Sequence, residues 1–386
     1  MKRFLSLVVI STFLVTPSSY GAVKKPAVKA LRILTTVGPV DEFSGLVTSG
    51  KVIIVYGNKG DKSYARALDA SGKELWNIAL DSASPSVATA AAVDAAGNIW
   101  IAGSTSLLRA TPAPTTSVLN PDKTTPTPDI FSADLNAFSL WSINATTQGL
   151  TQYSLQLESP ILINAITVDK TGITAVGSSG AVIRSDLLGK ISKPIFIGTD
   201  ATNFESVISH SDGTATLVGS SAETLGAKKL VGKIDGVIVK LSKAGKVINV
   251  VRSSAPKASR SWNSASSTLL LAGDVVTGAK IESAVTKFSY SYVPTWTYRF
   301  LSTGTSFVAG STYAFIQSTS AITQLSNWSP KSPQALLLTF DSKGVISGGY
   351  SAPVDQKQVL GLYASKDLGL FCITSSAESV SIFTLN

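Results

Sequence analysis

The chain has 386 residues, with 33 Lys and Arg against 24 Asp and Glu, and a formal net charge of +9 at pH 7. Its one cysteine excludes an intrachain disulfide, and one histidine with one cysteine is too few for a metal site built from those residue types. No apolar run reaches the roughly 20 residues that a membrane-spanning helix needs.

The first 22 residues have the composition of a secretory signal peptide. Lys2 and Arg3 form a short basic region, residues 4–15 are apolar, and residues 16–22 are polar and end in small side chains. This pattern predicts cleavage near residue 22 and a secreted, extracellular or envelope-associated protein without a stable membrane span. An uncleaved membrane anchor is the alternative.

The charge pattern limits the partners of the secreted chain. Loss of Lys2 and Arg3 with the signal peptide leaves a net charge of +7, spread along the chain without a long basic run. Secretion argues against a nucleic-acid partner, and the charge favours anionic polymers at a cell surface. Solubility alone is the alternative reason for the basic charge.

After the signal peptide, the chain repeats a pattern of strand, polar turn and strand. The clearest copy, 86–105, has a small apolar strand, a turn rich in Asp, Gly and Asn, and a β-branched strand. Copies start near residues 42, 86, 160, 201, 256, 302 and 356, and a second hairpin follows each of the first six.

Four short antiparallel strands per unit are typical of a β-propeller blade. The sequence therefore predicts an all-β propeller of seven four-stranded blades in a single domain, 23–386. Six blades are the alternative, because the 302–320 unit lacks the glycine that ends the second strand elsewhere. The last unit stops after three strands, so we expect the isolated strand 30–37 to complete it and close the ring. We expect a monomer.

Three insertions, 106–129, 222–235 and 321–333, follow the second strand of the second, fourth and sixth units. Loops between second and third strands emerge on one face of a propeller, and loops on a rigid scaffold often bind partners. Tolerated surface decoration is the alternative. The candidate binding residues in these insertions are Arg109, Lys123, Lys228, Lys229, Lys233 and Trp328.

A second group of residues is expected to shape turns or to pack between blades. Asp and Asn bond their own backbone in turns, Gly adopts positive φ at little cost, and Trp fills space between sheets. These residues are Asp69, Gly72, Trp76, Asp94, Gly97, Asn98, Trp100, Gly103 and Trp141.

Two motifs resemble known propeller repeats. The pattern from Asp94 through Gly97 and Asn98 to Thr105 resembles the SBBP-type repeat of secreted bacterial proteins. The segment 67–76, ALDASGKELW, is similar to the tryptophan-docking segment of pyrroloquinoline-quinone propellers, with 133–141 as a degenerate copy. The resemblance implies an architecture and no catalytic residue.

The later units depart from the quinone-binding pattern. Lys193, Asn249 and Gly348 stand where those propellers have tryptophan, and the sequence shows no acidic and amide cluster for calcium. We therefore expect no cofactor and no metal.

Few residues suggest catalysis. His210 lies beside a turn with no nucleophile motif, so a structural role is favoured, and Cys372 lies in an apolar run as a buried thiol. Glu42 and Glu205 fall on or near inner strands, where a propeller brings distant acids together over its axis.

The predicted function is thus a non-enzymatic binding or scaffold module for an extracellular protein or an anionic glycan. Its binding surface would be the face that carries the insertions. The alternative is a carbohydrate-active hydrolase or lyase with its site at the axial channel mouth. Trp262 and Trp328 are candidates to stack on sugars, with core packing as the alternative for Trp262.

Overall fold

The computed structural model describes residues 25–81, 84–107 and 135–385. Within these ranges the regular elements are β-strands, apart from a short 3₁₀ helix, Ser178–Gly180. The all-β prediction is confirmed. The predicted signal peptide at 1–22 and the candidate residues Arg109 and Lys123 lie outside the described residues.

The strands alternate with short turns along the whole described chain. The first are β1 (Val28–Ala30), β2 (Arg32–Pro39), β3 (Phe43–Ser49), β4 (Val52–Lys59), β5 (Lys62–Leu68), β6 (Glu74–Ala79), β7 (Ser86–Val93), β8 (Ile99–Thr105) and β9 (Ala137–Ile143). The next are β10 (Leu150–Gln156), β11 (Ile163–Asp169), β12 (Gly172–Gly177), β13 (Ala181–Ser185), β14 (Ile195–Phe196), β15 (Thr202–Ser209), β16 (Ala215–Ser221), β17 (Asp235–Leu241) and β18 (Val247–Ser253). The last are β19 (Ser259–Ala265), β20 (Leu270–Thr277), β21 (Lys280–Phe288), β22 (Pro294–Ala309), β23 (Tyr313–Ser318), β24 (Gln334–Phe340), β25 (Ile346–Ser351), β26 (Gln358–Ser365), β27 (Gly369–Ser375) and β28 (Ser379–Thr384).

The strands form a β-propeller. Four sheets consist of four consecutive strands each: β3–β6, β7–β10, β11–β14 and β15–β18. A fifth has the order β2-β28-β27-β26, and the remaining strands form one sheet of eight, β1-β25-β24-β23-β22-β21-β20-β19. The innermost strands contact one another in the order β3, β7, β11, β15, β19, β22 and β26, and β26 returns to β3.

The blade count differs from the sequence prediction. Counted as separate four-stranded sheets of the described chain, the propeller has five blades, not seven. The cause is the 16-residue strand β22. Its residues up to Leu301 pair with β21, and those from Ser302 onward pair with β23, so the units expected near 256 and 302 share one continuous sheet.

The N-terminal segment joins two sheets. β1 pairs in parallel with β25, and β2 pairs antiparallel with β28, the pairing expected for residues 30–37. Between them, Leu31 is buried in a cluster with Phe383, and its backbone N–H donates to the Ser351 carbonyl at 2.9 Å. The ends of the chain thus meet in one sheet, which leaves fewer open edges.

One hairpin lies elsewhere than predicted. The degenerate copy of the tryptophan-docking hairpin was expected at 133–141, but the structure forms the outer hairpin of this unit from β9 and β10, around the turn that begins at Asn144. Trp141 therefore lies on a third strand, whereas Trp76 lies on β6, a fourth strand. The two tryptophans are not counterparts, although both pack in the cluster between the first two four-stranded sheets.

Each innermost strand carries a β-bulge near its start. In five units the bulge faces a glycine at the end of the second strand: Gly57, Gly103, Gly177, Gly219 and Gly273. A Cβ at any of these positions would lie 1.8–2.0 Å from a carbonyl oxygen of the first strand. Only glycine permits this close approach of two backbones, which is why the sequence repeats it.

We predict that Gly103→Ala lowers the free energy of unfolding by about 3 kcal/mol or more, because the new Cβ would lie 1.8 Å from the Val87 oxygen and backbone cannot yield easily. Chemical denaturation of the full chain measures the loss. Gly60→Ala is the control: its Cβ meets nothing within 4 Å, and its φ of +62° costs roughly 1–2 kcal/mol in an alanine. An equal loss in both variants would show that the strand contact is not the constraint.

Candidate functional site

The loops between second and third strands emerge on the same side of the propeller as the bulges, because each bulge faces the end of a second strand. We call this side the insertion face. The predicted insertions do connect second to third strands: 106–136 lies between β8 and β9, 222–234 between β16 and β17, and 319–333 between β23 and β24.

The loop 222–234 presents three exposed lysines, Lys228, Lys229 and Lys233. Its backbone is ordered by local bonds, since the Lys228 N–H donates to the Leu225 carbonyl and Leu225 donates back. The Lys233 N–H donates to the Ala258 carbonyl at 2.8 Å, which fastens the loop to the connection before β19.

A buried ion pair between β17 and β18 anchors this loop. Asp235 and Arg252 approach to 3.1 Å, and their side chains are 0% and 7% exposed. The Asp235 carboxylate also accepts the N–H groups of Val231 and Gly232, each at 2.9 Å. We call this arrangement the Asp235–Arg252 clamp. A buried pair needs such further hydrogen bonds to offset its desolvation.

The guanidinium of Arg252 binds both ends of the loop. Its Nε donates to the Lys228 carbonyl at 3.0 Å, and Nη2 donates to the Glu223 carbonyl. The Glu223 carboxylate in turn accepts the Thr199 N–H at 2.7 Å and the Thr202 hydroxyl at 2.6 Å. The loop is therefore fixed at its first residues, at Lys228 and before β17.

Hydrogen bonds at the base of the loop lower the pKa of both Glu223 and Asp235. The Thr202 hydroxyl and the Thr199 N–H, working against partial burial, hold the pKa of Glu223 below its usual value. Burial acts to raise the pKa of Asp235, but the N–H donors of Val231 and Gly232 and the Arg252 guanidinium together bring it below its usual value. At neutral pH both carboxylates are therefore charged, and their oxygens accept the hydrogen bonds described above.

Lys257 was missed by the sequence reasoning. It is exposed in the connection between β18 and β19, three residues after Ser254, in the segment that receives the Lys233 N–H. The sequence separates Lys257 from Lys228 by a whole hairpin, so only the folded backbone shows that they share one face. Four exposed lysines therefore lie on two adjoining connections of the insertion face.

A polar cluster lies at the channel mouth on the same face. Glu205 is the extra residue of the bulge in β15, and the Asn203 side chain donates to its carboxylate. Asp274 accepts from Ser261 Oγ at 2.6 Å and from Asn263 Nδ2 at 2.9 Å. Burial, together with the nearby charge of Asp274, raises the pKa of Glu205, although the Asn203 bond opposes this. Asp274 was not predicted, and the predicted Glu42 makes no contact with Glu205 among the described residues.

Trp328 does not serve the predicted surface. It is 7% exposed, packs in the core beside Ile322 and Leu325, and donates its indole N–H to Ser318 Oγ at 3.1 Å. Its loop folds back onto the sheet, because an indole and two aliphatic residues in one short loop bury together. Trp262 is fully buried as well, with Arg260 stacked 4.3 Å from its ring. Both rings are therefore too buried to stack on a sugar.

His210 has only structural partners. Its Nε2 lies 2.7 Å from Thr216 Oγ1, which lies 2.7 Å from the Tyr292 hydroxyl. Burial lowers the pKa of His210. The Cys372 thiol is also buried, and burial raises its pKa. These environments fit structural roles for both groups.

The turn residues lie on the opposite face, where first and second strands meet. Asp94 Oδ1 accepts the Ala96 and Asn98 N–H groups at 2.9 Å, and Oδ2 accepts from the side chains of Asn98 and Trp100. Gly97 has φ of +88°. The outer turn repeats this chemistry, with Asp69 accepting from Ser71 and Lys73 around Gly72, whose φ is +85°.

The tryptophans fill the spaces between sheets. Trp100 is 3% exposed, stacks on Tyr153, and packs with residues of the next sheet such as Ile173.

Within the described ranges, no group of three or more His, Cys, Asp or Glu side chains could hold a metal ion. Those ranges also contain no helix of the length and hydropathy that crossing a bilayer requires.

Comparison with known proteins supports the fold. No family model matches the chain, and no curated protein matches its sequence. Among solved structures, Kuenenia stuttgartiensis hydrazine synthase is similar, with a TM-score of 0.54 and 10% identity, over 91% of this chain and 97% of that chain. At this identity the similarity shows the fold alone. The resemblance to SBBP-type and quinone propeller repeats stays a prediction.

We predict that Arg252→Leu loosens the loop 222–234 and lowers the free energy of unfolding by about 3–5 kcal/mol, because it leaves Asp235 charged and buried without its partner. Trypsin should then cut at Lys228, Lys229 or Lys233 under native conditions, as mass spectrometry would detect. In thermal melts, the stability advantage of the wild type over Arg252→Leu should shrink as the pH falls below the usual carboxyl values of 3.8 and 4.5, since lowered folded pKa values mean that stability is lost on protonation.

Lys62→Leu is the matched control for the clamp. Lys62 pairs with Asp61 at 3.9 Å, and their side chains are 36% and 66% exposed. Loss of such an exposed pair costs less than about 1 kcal/mol. If the control weakened the chain as much as Arg252→Leu does, the clamp would have no special role.

Proposed function

We propose that this chain is a secreted, non-enzymatic binding module that recognises an anionic glycan on its insertion face. One observation carries the proposal: Lys228, Lys229 and Lys233 are exposed on a loop that the Asp235–Arg252 clamp holds rigid. Because the loop is already ordered, binding a polyanion costs less conformational entropy than it would on a flexible loop.

The charges around the clamp support an anionic partner. Glu223 and Asp235 are occupied by Arg252, by threonine donors and by backbone N–H groups. The ammonium groups of the three loop lysines form no ion pair within the described part of the chain, so their charge is available to a ligand. Lys257 adds a fourth positive charge beside them.

A glycan fits this surface better than an acidic protein. A protein interface usually buries an apolar centre with aromatic anchors. The aromatic candidate, Trp328, is buried, and Val231 is the exposed large apolar residue of the loop 222–234.

The signal peptide predicted at 1–22 supports a site of action outside the cell. The intact mass of the exported chain would show whether these residues are removed.

We also infer that the propeller contains seven repeating units. In this view the eight-stranded sheet is two units fused through β22, with β1 added at its outer edge. The order of innermost strands around the axis supports it, because β19 and β22 each take one place there. A crystal structure with five or six innermost strands would contradict the inference.

The second candidate function is a glycan-cleaving enzyme at the channel mouth. One observation favours it: Glu205 has a raised pKa beside Asp274, whose carboxylate is held by Ser261 and Asn263. A pair of carboxyl groups at one site suits the general acid and base of a glycoside hydrolase. Release of reducing ends by the wild type, abolished in both Glu205→Gln and Asp274→Asn, would establish this function in place of the binding role.

The three loop lysines provide the direct test of glycan binding. We predict that the Lys228→Ala, Lys229→Ala, Lys233→Ala triple variant binds heparin at least about tenfold more weakly at 0.1 M salt. Each lysine near an anionic surface contributes on the order of 1 kcal/mol, which is about fivefold. Affinity would be measured by calorimetry, and it should fall as salt screens the contacts.

The control removes the same charge from the opposite face. Lys170, Lys246 and Lys343 are exposed in turns there, and their triple alanine variant should bind heparin like the wild type. Equal weakening in both variants would mean that net charge alone governs binding. Absence of salt-dependent binding in the wild type would exclude the proposed glycan.

We predict that Glu205→Gln stabilises the chain at pH 7 and that this gain disappears towards pH 4. A folded pKa above the usual 4.5 means that stability is present below that value and is lost as the pH rises through the folded pKa. Thermal melts of both proteins across this range measure the difference. Glu158→Gln, an exposed change on the same face, is the control. A constant difference at all pH values would show that Glu205 ionises without penalty.

A further inference from the structure

A cavity lies between β22 and β26, with a volume of about 590 Å³. Its rim contains Thr303, Thr305 and Lys357, and the side chains of Phe307 and Leu360 form apolar walls. It opens on the insertion face, because it includes the bulges of both strands. This volume lies in the usual range for small-molecule sites.

The cavity forms in a unit that lacks the glycine found at the end of the second strand in five other units. Gln317 occupies the place at the end of the second strand where five other units have glycine. Opposite it, the register of the first strand shifts between Ser302 and Ser306, so residues 303–305 bulge outward in place of the usual single residue. The larger bulge makes room for the glutamine side chain and opens the space in front of it.

Internal bonds hold the bulge open. The Ser302 and Ser283 hydroxyls lie 2.8 Å apart, and the Ser283 hydroxyl also donates to the Gly304 carbonyl at 3.0 Å. Gly304 has φ of +123°, a conformation that favours glycine. The cavity is therefore built into the backbone.

Gln317 lines this cavity and carries an unsatisfied polar atom. Its residue is 1% exposed, and its Nε2 donates to the Gln356 carbonyl at 3.5 Å. Its Oε1 is buried and has no hydrogen-bond partner within the described ranges. The neighbouring Gln356 is different, because its Oε1 accepts the Thr374 hydroxyl at 2.5 Å. A buried acceptor left unpaired costs about 1–3 kcal/mol, so a ligand that donates to it gains affinity.

We propose that the cavity between β22 and β26 binds a uronic acid, either a free sugar or the end unit of a glycan. A sugar hydroxyl would donate to Gln317 Oε1, the carboxylate would pair with Lys357, and the ring would lie against Phe307. No acidic side chain is among the residues that line the cavity. A polyhydroxylated carboxylate thus complements one buried acceptor, one cation, two hydroxyls and an apolar wall. This site is separate from the lysine loop and does not depend on glycan binding there.

The test is titration of the purified full chain with D-galacturonate, followed by nuclear magnetic resonance and calorimetry, with D-galactose as the neutral comparison. We expect saturable binding of galacturonate and weaker binding of galactose. Gln317→Leu, which keeps the size and removes the acceptor, should weaken both sugars by about three- to tenfold. Lys357→Ala should weaken galacturonate alone.

Two further variants keep the result interpretable. Gln324→Leu changes an exposed glutamine on the same face and should bind like the wild type. Lys357 is exposed on the rim, so its alanine variant reports on the cavity even if Gln317→Leu fails to fold. The proposal is overturned if galacturonate gives no saturable binding, or if it binds Gln317→Leu and Lys357→Ala as tightly as the wild type. Loss of heparin binding with galacturonate binding intact would reject the proposed function and leave this site standing.

Discussion

The propeller depends on one close approach of two backbones, repeated around its axis. In five units a first-strand carbonyl oxygen lies so near the end of the second strand that only glycine fits, as at Gly103 beside Val87. In these five units the bulge that produces this contact turns one extra residue of the innermost strand towards the channel mouth. The same constraint that spaces the strands therefore decides which side chains, among them Glu205 and Asn263, line that mouth.

The candidate sites lie in two units that differ from the regular repeat. One carries a long loop after its glycine, and the other lacks the glycine. The loop after Gly219 extends the unit and is fixed by the Asp235–Arg252 clamp, which holds exposed lysines above a buried ion pair. In the unit of β22 and β23, Gln317 takes the place of the glycine, and residues 303–305 of the first strand lie opposite Gln317 alone and help form a cavity. A regular scaffold thus gains distinct surfaces through local departures from its repeat.

The sequence predicts those parts that follow from local chemistry. Turn residues such as Asp94 and Gly97, and the pairing of the N-terminal strand, depend on short patterns that one chain displays. The fusion through β22 was missed because both halves of that strand look like separate strands, and nothing in the sequence marks their continuity. The clamp, Asp274 beside Glu205, and the burial of Trp328 join residues from different hairpins, so they become visible only in the folded chain.

The central claim is that the enlarged bulge of β22, in the unit where Gln317 stands in place of glycine, forms a binding site for a uronic acid. Crystals of the full chain soaked with D-galacturonate test it most directly. The account predicts density for a sugar ring between β22 and β26, with a hydroxyl within hydrogen-bond distance of Gln317 Oε1 and the carboxylate beside Lys357. An empty cavity at saturating sugar, whether or not sugar is bound at the lysine loop, would contradict it.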